Sequence, residues 1–134
     1  MNLVTAQQLL DAAQTEAARL GITMALAVVD AHGAPVAMRS MDGATIIAAR
    51  TVVAKARTAV YFGRPSAEVL ASAVDHPSVY ESLGAAVPEG LVYSMGGIPL
   101  VADGVVVGAI AASGGTGEQD IAVAAAGAAE FEAE

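Results

Sequence analysis

Along the chain the spacing of apolar residues changes several times, and each change marks an element. Leu9, Leu10, Ala13, Ala17 and Leu20 recur at helical spacing. They stand behind a Thr5–Gln8 capping-box pattern and ahead of Gly21, which predicts a helix over Thr5–Leu20. Ile22 to Asp30 is a continuous apolar run rich in β-branched residues and reads as an interior strand. Asp30-Ala31-His32-Gly33 is a hairpin turn into a second strand, Ala34–Met41. Its alternation puts Val36 and Met38 on one face and Ala37, Arg39 and Met41 on the other.

Asp42-Gly43 turns the chain into an alanine-rich helix, Thr45–Phe62, stopped by Gly63 and Pro65. Ser66 is placed to cap a short helix through Val74, with Glu68 in its first turn, where a carboxylate suits the helix dipole. Asp75 to Glu89 reads as a short helix plus a loop. Three strands are predicted next, over Leu91–Ser94, Ile98–Ala102 and Val105–Ser113, the last two joined by an Asp103-Gly104 hairpin. Ser113-Gly114-Gly115-Thr116-Gly117 breaks the last strand. Thr116 and Gln119 form a second capping box ahead of an alanine-rich helix to Phe131. The order α-β-β-α-α-β-β-β-α predicts an α+β fold in one domain, residues 1–134. Its sheet would be five-stranded and mostly antiparallel, with flanking helices.

Composition adds two constraints. The chain is 55% apolar yet only 4% aromatic, so its core is built from small side chains at close backbone separation. Only 15% of residues are charged, too few to cover a domain of this size, which predicts an apolar face buried between copies in a homo-oligomer. The net charge of −8 excludes a basic stripe for nucleic acid and disfavours anionic membranes. No apolar stretch approaches the roughly 20 residues of a membrane span. The N-terminus lacks the pattern of a secretory signal, so a cytoplasmic location is expected. Without cysteine there are no thiolate nucleophiles, iron–sulfur sites or cysteine zinc sites, and two histidines alone make no metal motif.

Candidate chemistry is sparse. On a helical projection Ile46, Ala49, Val53, Ala56 and Val60 share the face assigned to the sheet, and Lys55 points away among Ala48, Val52 and Ala59. Such company suggests a lysine that serves a pocket as anion binder or general base. The plainer readings are a structural ion pair with Asp42 or Asp120, or a stem covering alanines. Gly96 and Gly97 offer bare backbone to a ligand or to another segment of chain. Ser113 and Gly114 lead into a helix N-terminus that could hold an anion, and Arg39 and Asp42 add polar groups. His32 sits in a turn. His76, in Asp75-His76-Pro77, is the better ligand candidate of the two.

The motifs taken in order resemble a known family. They are Ala27-Val28-Val29-Asp30-Ala31-His32-Gly33, Met41-Asp42-Gly43-Ala44, Lys55-Ala56-Arg57-Thr58-Ala59, Gly96-Gly97-Ile98-Pro99 and Val107-Gly108-Ala109-Ile110 running into Ser113-Gly114, with Asp120 and Ala124. Together they resemble the GlcG/HbpS-like haem-binding family, and also the C-terminal domain of Pdu-type corrinoid adenosyltransferases. The resemblance implies a profilin- or roadblock-like fold, homo-oligomers up to octamers, haem binding in some members and occurrence in catabolic operons. It also marks departures. Ile121 stands where the family often has an acid, and the first helix lacks the histidine that ligates haem in the adenosyltransferase-type domains.

The leading expectation is therefore a homo-oligomeric domain binding haem or a small organic molecule in a catabolic pathway, with no cofactor required. The sites would be Arg39, Asp42, Lys55, Gly96, Gly97, Ser113 and Gly114, with His76 on any haem iron. One alternative is a cofactor-free isomerase, tautomerase or lyase that moves protons on a small organic acid through Lys55, Asp42 and Asp120. Another is an assembly protein with no small ligand.

Overall fold

The computed structural model describes residues 1–132. Its elements are α1 (Leu3–Arg19), β1 (Ala25–Asp30), β2 (Pro35–Ser40), α2 (Ile46–Phe62), α3 (Ser66–Asp75), α4 (Pro77–Ala85), β3 (Gly97–Ala102), β4 (Val105–Ser113) and α5 (Gly117–Glu132). All neighbouring strands are antiparallel, in the order β2-β1-β4-β3.

The α+β class is as expected, but the described sheet has four strands, not five. Leu91–Ser94 forms no strand because side chains of α2 take up the backbone there. Val92 N donates to Thr58 Oγ1 at 3.0 Å, and Arg57 Nη1 donates to the carbonyls of Glu89 and Gly90 at 2.7 and 2.9 Å. The neighbouring edge is also occupied, since Gly97 N at the start of β3 donates to Ser66 Oγ at 2.8 Å. Ser66 is therefore a buried acceptor and makes no side-chain cap for α3.

Helix α1 starts earlier than its capping-box pattern suggested. Asn2 is the N-cap, its Oδ1 accepting from Thr5 N at 2.8 Å, which leaves Thr5 inside the first turn. At α5 the pattern forms as read. Thr116 N donates to Gln119 Oε1, and Gln119 N donates to Thr116 Oγ1.

Alternation along the central strands divides the core in two. Leu26, Val28, Ile110 and Ala112 face Leu9, Leu10, Ala13 and Ala17 of α1 and Val123, Ala124 and Ala128 of α5. Ala25, Ala27, Val29, Ala109 and Ala111 face Ala48, Val52, Ala56 and Ala59 of α2. Helices α1 and α5 thus cover one face and α2 the other. The contact stripe of α2 is not the one predicted, for Ile46 is 80% exposed and Lys55 lies on the buried side. Both sides of this helix are apolar. The side with three alanines won because it lets the helix approach an alanine-lined sheet.

The capping difference is measurable. Asn2→Ala should lower stability by about 1 kcal/mol, whereas Thr5→Ala should change it by about 0.5 kcal/mol or less. Chemical denaturation of both variants checks this; equal losses would return the cap to Thr5.

Candidate functional site

A buried ion pair sits where β4 ends and β3 begins. Lys55 Nζ donates to Asp120 Oδ2 at 3.0 Å and to the Ala112 carbonyl at 2.8 Å. The two side chains are 3% and 9% exposed. Asp120 Oδ1 accepts from Gly115 N at 2.9 Å, so both carboxylate oxygens have donors. Of the two acids considered as partners for Lys55, Asp120 holds the ammonium. Asp42 is exposed in its turn.

Gly96 and Gly97 make this meeting sterically possible. A Cβ on Gly96 would lie 2.7 Å from the Ala112 carbonyl and 2.8 Å from Asp120 Cβ, at a φ of +115° that disfavours side chains in any case. A Cβ on Gly97 would lie 2.6 Å from the Lys55 carbonyl. Their bareness serves packing of α2 and α5 against the strand ends. Ser113, buried at the end of β4, pairs with Ala25, and Gly114 turns the chain toward α5.

Burial raises the Asp120 carboxyl above its ordinary value of 3.8; Lys55 and the Gly115 N–H pull against that rise. No accessible base remains here for proton transfer to a substrate, since the ammonium is spent on Asp120 and Ala112 within the core.

The open hollows lie elsewhere. A groove of about 740 Å³ runs between α1 and α5, lined by Gln8, Asp11, Thr15, Glu16, Ala126 and Glu130. Another, of about 510 Å³, is lined by Gln14, Arg39, Ser40, Met41 and Asp42. Arg39 is tied to α1 there, 2.7 Å from Asp11 Oδ1 and donating to Gln14 Oε1 and Gln7 Oε1. Arg39 and Asp42 therefore share a hollow that does not include Lys55. Among the described residues no group of three His, Cys, Asp or Glu is placed to hold a metal ion, and no helix is long and apolar enough to cross a membrane.

His76 lies on a separate lobe formed by α3 and α4. Pro77 disfavours helical backbone at the residue before it, and His76 accordingly breaks the two helices apart with φ −133° and ψ 61°. Its backbone stays tethered, the N–H to Ser72 O at 2.9 Å and the carbonyl to Tyr80 N at 3.2 Å. The residue is exposed. So are Val74, Val79 and Leu83, at 69%, 56% and 40%. His32 is exposed in its turn.

The inner side of the lobe is aromatic. Tyr80 stacks on Phe62 with ring centroids 5.7 Å apart, and Tyr93 meets Tyr80 edge-on at 5.7 Å. Tyr93 donates its hydroxyl to the Tyr80 carbonyl at 2.6 Å, and burial pushes its phenol up. Arg64 joins the same lobe, donating from Nη2 to Ser72 Oγ at 3.0 Å and to the Tyr80 hydroxyl at 3.1 Å. Sequence reading did not single out Arg64, and it gave Ser66 only the role of a helix cap. The only local signal for Arg64 was a cation held between a helix-stopping glycine and a proline, in Gly63-Arg64-Pro65.

Comparison with known proteins agrees on the fold. A family model described as haem degrading protein HbpS-like matches residues 1–129. The crystal structure of Klebsiella pneumoniae protein ORFY is 27% identical, with a TM-score of 0.91 over 100% of this chain and 92% of that one. A double mutant of Streptomyces reticuli HbpS is 29% identical, with a TM-score of 0.87 over 97% of this chain and 86% of that one. A structure described as a PduOC:heme complex is 30% identical, with a TM-score of 0.83 over 92% of this chain and 88% of that one.

Lys55→Met keeps the stem volume and strands Asp120, so it should cost about 3–5 kcal/mol. The sign of its pH dependence follows from Asp120. A carboxyl whose pKa is higher folded than unfolded holds its proton preferentially in the folded state, so its contribution to stability falls as pH rises through that interval. Removing the ammonium widens the interval. The deficit against wild type should therefore be largest at neutral pH and shrink toward about pH 4. Urea unfolding at two pH values measures it; full stability at neutral pH would show that the pair is dispensable.

Proposed function

The chain belongs to the HbpS-like family, and from that membership we propose that it is a haem-binding domain whose iron ligand is His76 on the α3–α4 lobe. One observation carries the reading. An exposed histidine stands at a helix break, and Val74, Val79 and Leu83 on the two helices that meet there are exposed. Val79 and Leu83 lie one turn apart on α4 and share its exposed side.

This donor set suits the group: a nitrogen for iron and aliphatic side chains for the macrocycle. Haem, when bound, would supply an iron able to take a nitrogen ligand, and His76 would be the residue that holds it. The chain's share is to present His76, held by its backbone tethers, and to cover one apolar face. That a similar structure at 30% identity is described as a PduOC:heme complex supports haem as the ligand, whichever residue meets the iron.

The reading includes a cytoplasmic homo-oligomer serving a catabolic pathway, with a small organic molecule as the alternative ligand. Exposed Ile46, Ile47, Val101 and Val105, at 80%, 69%, 50% and 62%, support association between copies.

Two measurements test the proposal. Titration with hemin should give a Soret shift in wild type and in His32→Ala; His76→Ala should alter the spectrum and weaken binding about tenfold or more. A spectrum and affinity indifferent to His76→Ala would remove it as the ligand. Sedimentation should show an oligomer at micromolar concentration, and a stable monomer would sink that part of the reading.

A further inference from the structure

The two borders of the sheet differ. At the start of β3 the Gly97 amide is taken by Ser66 Oγ at 2.8 Å, and Pro99 has no amide to offer. Among the described residues nothing comparable closes β2. Met41 N donates to the Met24 carbonyl, and β2 pairs with β1 in the register Leu26↔Arg39 and Val28↔Ala37, so odd-numbered residues turn their amides to β1. The amides of Met38 and Ser40 therefore face outward. Each trans peptide sends its N–H and C=O opposite ways, so the carbonyls of Val36 and Met38 face outward as well. The register slips at Val36, and its own amide is left out of this count.

Open edges are commonly guarded by outward charge. Here Arg39 is the one charge of β2, and it is turned to α1, 2.7 Å from Asp11 Oδ1. In a chain of net charge −8, this strand gives a second copy an approach that meets no carboxylate within it. Symmetry then fixes the register. A two-fold axis through Met38 sets Met38 N against the Met38 carbonyl of the second copy, and Ser40 N against its Val36 carbonyl, each bond in both directions. An axis through Arg39 would bring two guanidiniums face to face. One through Ala37 would aim Ser40 N at the Ala34 carbonyl, which already accepts from Asp30 N. Met38 and Ser40 share the sheet face of Ala27 and Ala25, the side on which α2 lies. The Met38 side chain is 41% exposed in one chain, and at the axis it would be covered by its own copy.

We propose that β2 is the strand through which two copies of this chain join, antiparallel about Met38, into one sheet continuous across the pair. This rests on the association of copies proposed above and names a surface for it. The pairing uses up β2 of both copies and leaves the closed start of β3 at either end, so it stops at a dimer and does not extend the sheet.

The chain has no cysteine, so Met38→Cys, Ser40→Cys and a control on the exposed side of α1, Thr15→Cys, each carry a single thiol. At the axis the two Cα atoms of residue 38 stand about 5.5 Å apart, within the range of a disulfide. Those of residue 40 stand about 13 Å apart along the strands, out of that range. Under mild oxidation Met38→Cys should form disulfide dimers about tenfold faster than either of the others. Met38→Glu sets two carboxylates opposite each other and should weaken the pair about fivefold or more in sedimentation, whereas Met38→Leu should leave it in place. Thermal melting checks the fold of each variant, and the comparison of thiols stands even if Met38→Glu does not fold. Equal oxidation rates for the three thiols, or an assembly indifferent to a folded Met38→Glu, overturn this surface, and an oligomeric wild type then leaves the association of copies standing. A wild type that stays monomeric at micromolar concentration overturns both and leaves the β2 border to a strand of another protein.

Discussion

The buried pair between Lys55 and Asp120 joins two layers that the sheet otherwise keeps apart. Helix α2 lies on one face and α5 on the other. Their charged groups meet at 3.0 Å beyond the end of β4, and Lys55 also reaches the Ala112 carbonyl of that strand. Each helix carries one residue that is costly to bury alone, and only one relative placement satisfies both. Net stabilisation from such a pair is modest. What it supplies here is position, since sliding either helix by one turn would strand an ion in an alanine-lined interior. The bare backbone of Gly96 and Gly97 belongs to the same constraint, because side chains there would collide with Asp120 and with the α2 backbone.

Much of this was legible in the residues. Periodicity together with caps and turn residues located all five helices and both hairpins, and the lysine set among alanines stood out, with a buried ion pair to Asp120 among its readings. The misreadings share a cause. Leu91-Val92-Tyr93 has strand-like residues, yet the hydroxyl of Thr58, far away in sequence, takes the Val92 N–H. Ser66 has the right residue type for a cap and instead serves Gly97, 31 positions away. The α2 faces were ambiguous because both are apolar, and the choice rested on how closely alanine meets alanine across layers. In each case a long-range partner outweighed a local preference. Arg64 escaped notice for the same reason, since its partners are brought to it by the folding back of α3 and α4.

The packed core and the α3–α4 lobe are held together by different means. The helices α1, α2 and α5 bury their small side chains on the sheet, whereas α4 has no buried residue. That helix is held by an aromatic triad and by hydrogen bonds through Arg64, Ser72, His76, Tyr80 and Tyr93. A lobe anchored in this way can change its outward residues without disturbing the alanine core.

The hydrogen bond from Gly97 to Ser66 bears on how the molecule behaves in a crowd. Ala112 N donates to the Gly96 carbonyl, so even-numbered residues at the start of β3 face β4 and odd-numbered ones face outward. Of the outward amides, Gly97 is occupied by Ser66, and Pro99 has none to offer. A strand arriving at this border finds neither of these two amides free, which disfavours edge-to-edge pairing at the start of β3.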